Sequence, residues 1–161
     1  MAGWYVVNVR EGKWRDRGPR GRVKELVADD DAQVGVNLFV LEPGQPMSMY
    51  HWEADQEGFL VLSGEALLIV EHEERLLRQW DYLHCPVPVP HTIVGAGSGP
   101  SAILAIGARE HQAGGDWGAY PYSEVAMKHD ASTEEETRDP DVAYARFPDR
   151  VDGEFREDWL P

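Results

Sequence analysis

Short apolar segments separated by turn residues follow one another from residue 21 to residue 108, and this pattern constrains the fold more than any other feature. The clearest segments are rich in Val, Leu, Ile and Phe, at residues 34–41, 57–62, 66–70 and 101–108. Glycine, proline and aspartate occupy the intervening turns. The pattern indicates about nine short strands without helices between them, which is typical of an antiparallel sandwich or barrel rather than a parallel α/β sheet. We therefore predict an all-β fold.

The two ends of the chain differ from this central pattern, so we expect three parts. Residues 1–33 contain a strand-like patch at residues 4–9 and a charged segment predicted to be an extended arm. Residues 34–110 form the predicted barrel core. Residues 111–161 form an appendage packed on the barrel, with an irregular aromatic segment and a short helix opening at Asp139-Pro140. Its acidic end is a candidate for disorder.

Composition indicates which binding partners the protein is expected to have and in which cellular compartment it is expected to lie. The formal net charge is −14 at pH 7, which argues against nucleic acid and anionic membrane surfaces, since both are themselves negative. No apolar run is long enough to span a bilayer, and the first residues lack the pattern of a secretory signal. The single cysteine, Cys85, allows no internal disulfide. These features predict a cytoplasmic protein.

Metal-capable side chains are concentrated between Pro43 and Gly64. Met47–Glu53 is a further predicted strand. Alternate side chains of a strand share a face, so His51 and Glu53 are expected to point the same way. Glu57 begins the next predicted strand and can return to that face. Two buried carboxylates would repel each other, and a divalent cation would remove the conflict. A buried histidine beside a carboxylate can also be purely structural, so both interpretations stay open here.

The same stretch resembles the first conserved motif of the cupins. That motif begins with Pro-Gly, continues through His-x-His to a Glu, and ends six residues later at a Gly. Pro43-Gly44 opens it here, His51 takes the first His position, and Glu57 precedes Gly64 by the same spacing. Glu53 stands where the family has its second His.

A second stretch resembles the second cupin motif, which contains a Gly, a Pro-x-Gly, a His and an Asn. Pro86 and His91 match this pattern. Trp80, Pro88 and Gly95 stand where the family has Gly, Gly and Asn. The resemblance covers about residues 34–108 and follows the strand pattern throughout.

The resemblance implies a double-stranded β-helix, a jelly-roll-like barrel in which both motifs supply metal ligands. Carried over by position, the ligands are His51, Glu53, Glu57 and His91. One divalent transition metal is implied, and a mixed nitrogen and oxygen ligand set suits Mn, Fe, Ni, Co or Zn. Catalytic residues are not assigned. The residues predicted to line the pocket are Met49, Gln56, Phe59 and Tyr82.

Several functions remain open at this stage. Similar proteins include oxygenases, isomerases and decarboxylases, and the fold does not choose between them. The first hypothesis is a metal-dependent cupin enzyme that acts on a small molecule. The second is a non-catalytic small-molecule binding or sensing protein, which the departures at Glu53, Pro88 and Gly95 favour. A storage or structural metal is the third.

Oligomeric state is the last expectation. Sheet edges are often covered by pairing with another chain. We therefore expect a homodimer, with the patch at residues 4–9 or the aromatic segment at residues 117–122 in its interface.

Overall fold

The computed structural model describes residues 3–27, 29–112 and 114–161. Its strands are β1 (Trp14–Asp16), β2 (Arg22–Glu25), β3 (Val34–Leu41), β4 (Trp52–Glu53), β5 (Glu57–Ser63), β6 (Glu65–Val70), β7 (Glu73–Arg78), β8 (Tyr82–Cys85), β9 (His91–Ala96), β10 (Ser101–Ala108), β11 (Gly118–Ala119) and β12 (Val151–Gly153). Its helices are α1 (Glu124–Met127) and α2 (Pro140–Ala143), with 3-10 turns at Gly18–Arg20 and Glu157–Trp159. None of the described helices is long and apolar enough to cross a membrane.

Two antiparallel sheets carry the core. The larger has the order β12-β1-β2-β3-β10-β5-β8, and the smaller has the order β7-β6-β9. Side chains from both sheets meet in one apolar cluster that includes Val61, Leu68, Ile93 and Ile103. The two sheets are joined by this packing and not by hydrogen bonds around a closed barrel, as far as the described residues show. The all-β prediction is confirmed, in the form of a β-sandwich.

The strand predicted at residues 4–9 is wrong. The described residues before Val9 have no regular structure, and Trp4 is 93% exposed. The first strand forms instead at Trp14–Asp16, because Trp14 is buried against Phe155 and Trp159. The patch has the composition of a strand, but residues 4–8 are exposed, and Val9 at its end packs against the cluster that contains Trp14.

The strand predicted from Met47 to Glu53 is also only partly present. Regular pairing is limited to Trp52–Glu53, which pairs with β11. Upstream of it, the N–H of Met47 donates to Ile93 O, whereas the N–H of Tyr50 donates to Ala131 O. The segment therefore bends, because its backbone bonds to two different parts of the chain.

Both ends of the chain contact the central sheets. β1 pairs with β2 and with β12, so the larger sheet contains strands from near each end. Asp139 caps α2 with Pro140 at its first position, as predicted, and the helix ends at Ala143. The acidic end contains β12 and the 3-10 turn at Glu157–Trp159. The three-part division of the chain stays a prediction.

Candidate metal centre

Backbone pairing holds His51 and His91 side by side. The two residues form an isolated antiparallel bridge, with N–H···O distances of 3.1 and 2.8 Å. Their ring centroids are 5.0 Å apart. His91 begins β9 and His51 immediately precedes β4. The bridge therefore brings together the two stretches that resemble the first and second cupin motifs.

Glu57, the first residue of β5, lies between the two imidazoles. Its Oε2 is 3.2 Å from His91 Nε2 and 3.9 Å from His51 Nε2. Ligand atoms of His51, Glu57 and His91 all lie within 4.8 Å of one another. Glu53 is at the margin, with its Oε1 3.4 Å from His51 Nε2. The structure thus brings the four predicted ligands together, three as a tight group and Glu53 beside it.

Both imidazoles are fixed through Nδ1. His51 Nδ1 lies 2.8 Å from the carbonyl oxygen of Met49, and His91 Nδ1 lies 3.0 Å from that of Val89. A carbonyl oxygen only accepts, so each Nδ1 carries a proton, and a neutral ring then presents its Nε2 lone pair to the carboxylates. The buried Nε2 of His91 has no hydrogen-bond partner, despite its short distance from Glu57. A lone pair facing a carboxylate needs a proton or a cation between them, so this donor set fits a divalent metal.

Without a metal, protons occupy this position. Burial alone would lower the pKa of His91, but its close contacts with Cys85 and Glu57 and the Glu57 charge raise it to about 10. Burial alone would raise the pKa of Glu57, yet His91 and His51 together lower it. The metal-free group is therefore an imidazolium–carboxylate pair, and a divalent cation must displace a proton to bind.

The group lies on the wall of a cavity of about 400 Å³. Of the four residues predicted to line the pocket, the structure places Phe59 in this wall. Its ring packs edge-on against the His91 ring, with centroids 5.3 Å apart. Phe59 therefore shields one side of the imidazole from water.

The other three predicted pocket residues do not line this cavity, and that part of the prediction is wrong. Met49 is buried in a separate cluster with Tyr120 and Ala143, because the chain bends between Met47 and Trp52. Gln56 is exposed in the turn before β5. Tyr82 lies on the outer face of the sheet, where its hydroxyl fills the space above Gly58.

Other cavity residues were not predicted from the sequence. They come from the N-terminal arm, β3 and the C-terminal segment, and include Arg17, Arg20, Asn37, Tyr120 and Tyr144. The arm has no periodicity that would indicate which of its charged residues turn inward. Burial raises the pKa of Tyr120, helped by neighbouring Tyr144, so its hydroxyl stays protonated.

A second acidic group lies next to the candidate centre. Asp55 is buried and accepts hydrogen bonds from the backbone N–H and from Nδ1 of His111, both at 2.8 Å. Burial opposes ionisation of Asp55, but its bonds to His111 outweigh this and lower its pKa. This pair fastens the segment after β10 to the turn between β4 and β5.

Comparisons with known proteins identify the fold. Residues 37–107 match the family model described as Cupin domain. The structure resembles a sugar phosphate isomerase of the cupin superfamily from Silicibacter pomeroyi, at 29% identity and a TM-score of 0.52 over 56% of this chain. The chain spans only 60% of that protein's length. The comparison with curated proteins gives no match.

Two further solved structures show the fold alone. A cupin 2 domain-containing protein from Halorhodospira halophila is 17% identical, with a TM-score of 0.54 over 68% of this chain and 75% of its own. A cupin 2 conserved barrel domain protein from Salinispora arenicola is 18% identical, with a TM-score of 0.54 over 67% and 90%. The family match identifies residues 37–107 as a cupin domain, and these likenesses agree with it in fold.

Proposed function

We propose that the protein binds one divalent transition metal through His51, Glu57 and His91, with Glu53 as the fourth ligand. The observation that best supports this proposal is the fixed orientation of the two imidazoles. Each is held through Nδ1 by a backbone carbonyl, so that Nε2 points toward a largely buried carboxylate. The mixed nitrogen and oxygen set suits Mn, Fe, Ni, Co or Zn.

We further propose that this centre acts on a small organic molecule bound in the cavity. A divalent metal bound there would supply a Lewis acid, or an oxygen-binding centre if it is redox-active. The chain's own residues orient the ligands and exclude water, with Phe59 packed against His91 and Tyr120 against His51. The protonated Tyr120 hydroxyl is available as a hydrogen-bond donor on the cavity wall.

Among oxygenase, isomerase and decarboxylase chemistry, isomerisation has the most support. The solved structure at 29% identity is described as a sugar phosphate isomerase. Isomerisation moves protons between neighbouring atoms and needs no external oxidant, so any of the candidate metals would serve.

The alternative is a non-catalytic cupin that binds a small molecule without a metal. One observation favours it: the His91–Glu57 pair can neutralise its own charge with a proton. The two functions differ in whether a metal is needed for ligand binding.

Metal content tests the proposal. Protein purified without added metal is expected to contain about one transition-metal ion per chain by elemental analysis. His51→Gln and His91→Gln are expected to reduce that content about tenfold or more, because each removes a nitrogen ligand. The matched control is His84→Gln, since His84 is an exposed histidine outside the cavity.

Two results would contradict the metal centre. One is wild-type protein that takes up no metal after treatment with chelator and titration with Mn²⁺, Ni²⁺ and Zn²⁺ in turn. The other is equal metal content in His91→Gln and His84→Gln, with both variants folded by circular dichroism. Either result would favour the non-catalytic alternative.

A further inference from the structure

Two buried arginines line the same cavity as the candidate metal centre. Arg17 precedes the 3-10 turn between β1 and β2 and Arg20 is its last residue, and they are 5% and 6% exposed. Neither forms an ion pair with a carboxylate in the described part of the chain, although the whole sequence holds 29 acidic residues. Buried charges are normally paired, because an unpaired charge loses its hydration without compensation. An anion bound in the cavity would therefore stabilise these two arginines.

Arg17 is held rigidly and keeps its charge next to the cavity. Its Nη1 donates to Met47 O at 2.8 Å, and its Nη2 donates to the backbone oxygen of Arg20. Its guanidinium lies 4.8 Å from the centre of the Phe39 ring. Its Nε is buried without a hydrogen-bond partner. Carbonyl oxygens and a ring face orient the group but do not neutralise it.

Arg20 is oriented by aromatic rings and has its donors free. Its guanidinium lies 4.3 Å from the centre of the Tyr144 ring and 5.1 Å from that of Phe147. No nitrogen of this guanidinium donates a hydrogen bond within the described residues, and its buried Nε has no partner. A stacked guanidinium presents a fixed fork of N–H groups, the geometry that carboxylate and phosphate oxygens fit.

The local electrostatics agree with a missing anion. Burial, and then the charge of Arg20, lower the pKa of Arg17 to about 9. Burial also lowers the pKa of Arg20, with Arg150 adding to the effect. Arg150 lines the cavity as well. An oxyanion bound beside these groups would favour their charged forms and offset the cost of burying them.

The cavity also has a polar group suited to a neutral part of a ligand. Asn37, on β3, has a buried side-chain oxygen without a hydrogen-bond partner in the described chain. It lines the cavity, as does Ser48. Unfilled hydrogen-bonding capacity of this kind matches a hydroxylated molecule better than a hydrocarbon.

We propose that the cavity binds its substrate through an oxyanion group, a phosphate or a carboxylate, held by Arg20 with Arg17 beside it. The cavity of about 400 Å³ accommodates a small metabolite, since ligand sites usually measure about 300–1,000 Å³. The inference deepens the proposed function and rests on it for the reacting end of the substrate. The oxyanion subsite itself does not require the metal.

Binding of inorganic phosphate and of acetate to metal-free protein tests the subsite. Chelator-treated wild type is titrated calorimetrically with each anion at constant ionic strength. At least one anion is expected to bind, and Arg20→Gln is expected to weaken it about 10- to 100-fold, because hydrogen bonds to charged groups are lost. Arg20→Lys keeps the charge without the planar fork and is expected to fall between the two.

The matched control is Arg22→Gln. Arg22 also lies against an aromatic ring, 5.1 Å from the centre of Trp159, but it is paired with Asp16 at 3.4 Å and does not line the cavity. Its substitution is expected to leave anion affinity unchanged. The tighter of the two anions shows whether the site is built for phosphate or for carboxylate.

Stability separates a binding role from a structural one. If Arg20 binds an anion, Arg20→Gln should melt no lower than wild type without phosphate, because an uncompensated buried charge has been removed. The same variant should lose the rise in melting temperature that phosphate gives the wild type. If Arg20 only supports the fold, the variant melts lower and keeps its anion affinity.

The proposal is overturned if neither anion binds the wild type, or if Arg20→Gln binds as tightly as Arg22→Gln. Metal uptake, titrated separately into the same chelator-treated proteins, keeps the two proposals apart. Anion binding without metal uptake would remove the metal centre and keep the subsite. If the protein takes up metal but its anion binding does not depend on Arg20, the metal centre is kept and the oxyanion subsite is removed.

Discussion

At the scale of single residues, the candidate centre depends on what holds each histidine ring. His91 has Nδ1 3.0 Å from both Val89 O and the sulfur of Cys85, so the ring has little freedom to rotate. His51 is held only through Met49 O. The two carboxylates differ as well, because the Glu57 side chain is 15% exposed and that of Glu53 is 31% exposed. Glu57 is thus the carboxylate with the larger need for a cation.

This difference predicts unequal effects of removing each charge. Glu57→Gln is expected to weaken metal binding about 100-fold, since it removes the carboxylate that both imidazoles face. Glu53→Gln is expected to weaken it about tenfold, in keeping with its marginal position. Calorimetric titration of chelator-treated protein with Mn²⁺ or Zn²⁺ measures both. Equal losses would make Glu53 a full ligand, and no loss in Glu53→Gln would leave three protein ligands.

The sequence allowed part of this site to be predicted. His51, Glu57 and His91 follow from motif spacing, because residues that bind one ion must keep fixed positions on neighbouring strands. Arg17 and Arg20 follow no such rule. They reach the cavity through a turn whose position depends on the pairing of β1 with β2, and that pairing involves residues far apart from the cupin motifs.

At the scale of elements, two departures from the family motif have structural explanations. Trp80 stands at the position of the family glycine and has φ of 73°, in the left-handed region that glycine favours. Gly95 stands at the position of the family asparagine. A Cβ on Gly95 would lie 2.2 Å from Glu42 O, because β9 passes close to the chain after β3. Trp80 thus adopts the left-handed backbone conformation that glycine favours. Gly95 is required because a side chain there would clash with the backbone at Glu42.

Trp80 gives a stability prediction. A left-handed conformation costs a residue with a Cβ about 1–2 kcal/mol, and Trp80 is largely exposed, so its ring gives little in return. Trp80→Gly is therefore expected to have a free energy of unfolding about 1 kcal/mol higher than Trp80→Ala, even after the larger entropy of glycine in the unfolded chain. Urea denaturation of the two variants measures the difference. A glycine variant less stable than the alanine variant would show that the turn carries no strain.

Prediction of the strands succeeded where the partner lies in the same sandwich. β3, β5, β6 and β10 have strong apolar patterns and form as expected. The segment from Met47 to His51 does not form a regular strand, because its hydrogen bonds are divided between Ile93 on β9 and Ala131 in the C-terminal segment. The local alternation of apolar and polar residues cannot show that one segment divides its hydrogen bonds between two distant parts of the chain.

At the scale of the whole molecule, the cavity combines three regions of the chain. The central part of the chain, from His51 to His91, supplies the histidines and carboxylates. The N-terminal arm supplies Arg17 and Arg20, and the C-terminal segment supplies Tyr120 and Tyr144. A strongly acidic chain thus places two buried arginines, neither of them ion-paired within the described residues, in the same cavity as a candidate metal. The homodimer stays a prediction, and Trp4, with its largely exposed side chain, remains the residue to examine at such an interface.

Stability of the whole protein should couple metal binding to pH. His91 has a pKa raised from 6.5 to about 10 in the folded metal-free protein, so its contribution to stability is complete below pH 6.5 and is lost as pH rises toward 10. A metal binds only the deprotonated ring, so the proton on His91 opposes metal binding, and this opposition weakens as pH rises. The gain in melting temperature from a fixed concentration of Mn²⁺ is therefore expected to grow between pH 6.5 and about 8.5.

Differential scanning fluorimetry of wild type, His91→Gln and His84→Gln measures this coupling. At a metal concentration about 100 times the dissociation constant, binding adds about 2.7 kcal/mol to the free energy of unfolding. His84→Gln should follow the wild type at both pH values, because His84 lies outside the cavity. His91→Gln should show little gain at either pH. A gain that is independent of pH, or equal in all three proteins, would mean that Mn²⁺ binds elsewhere and that the proton on His91 does not compete with it.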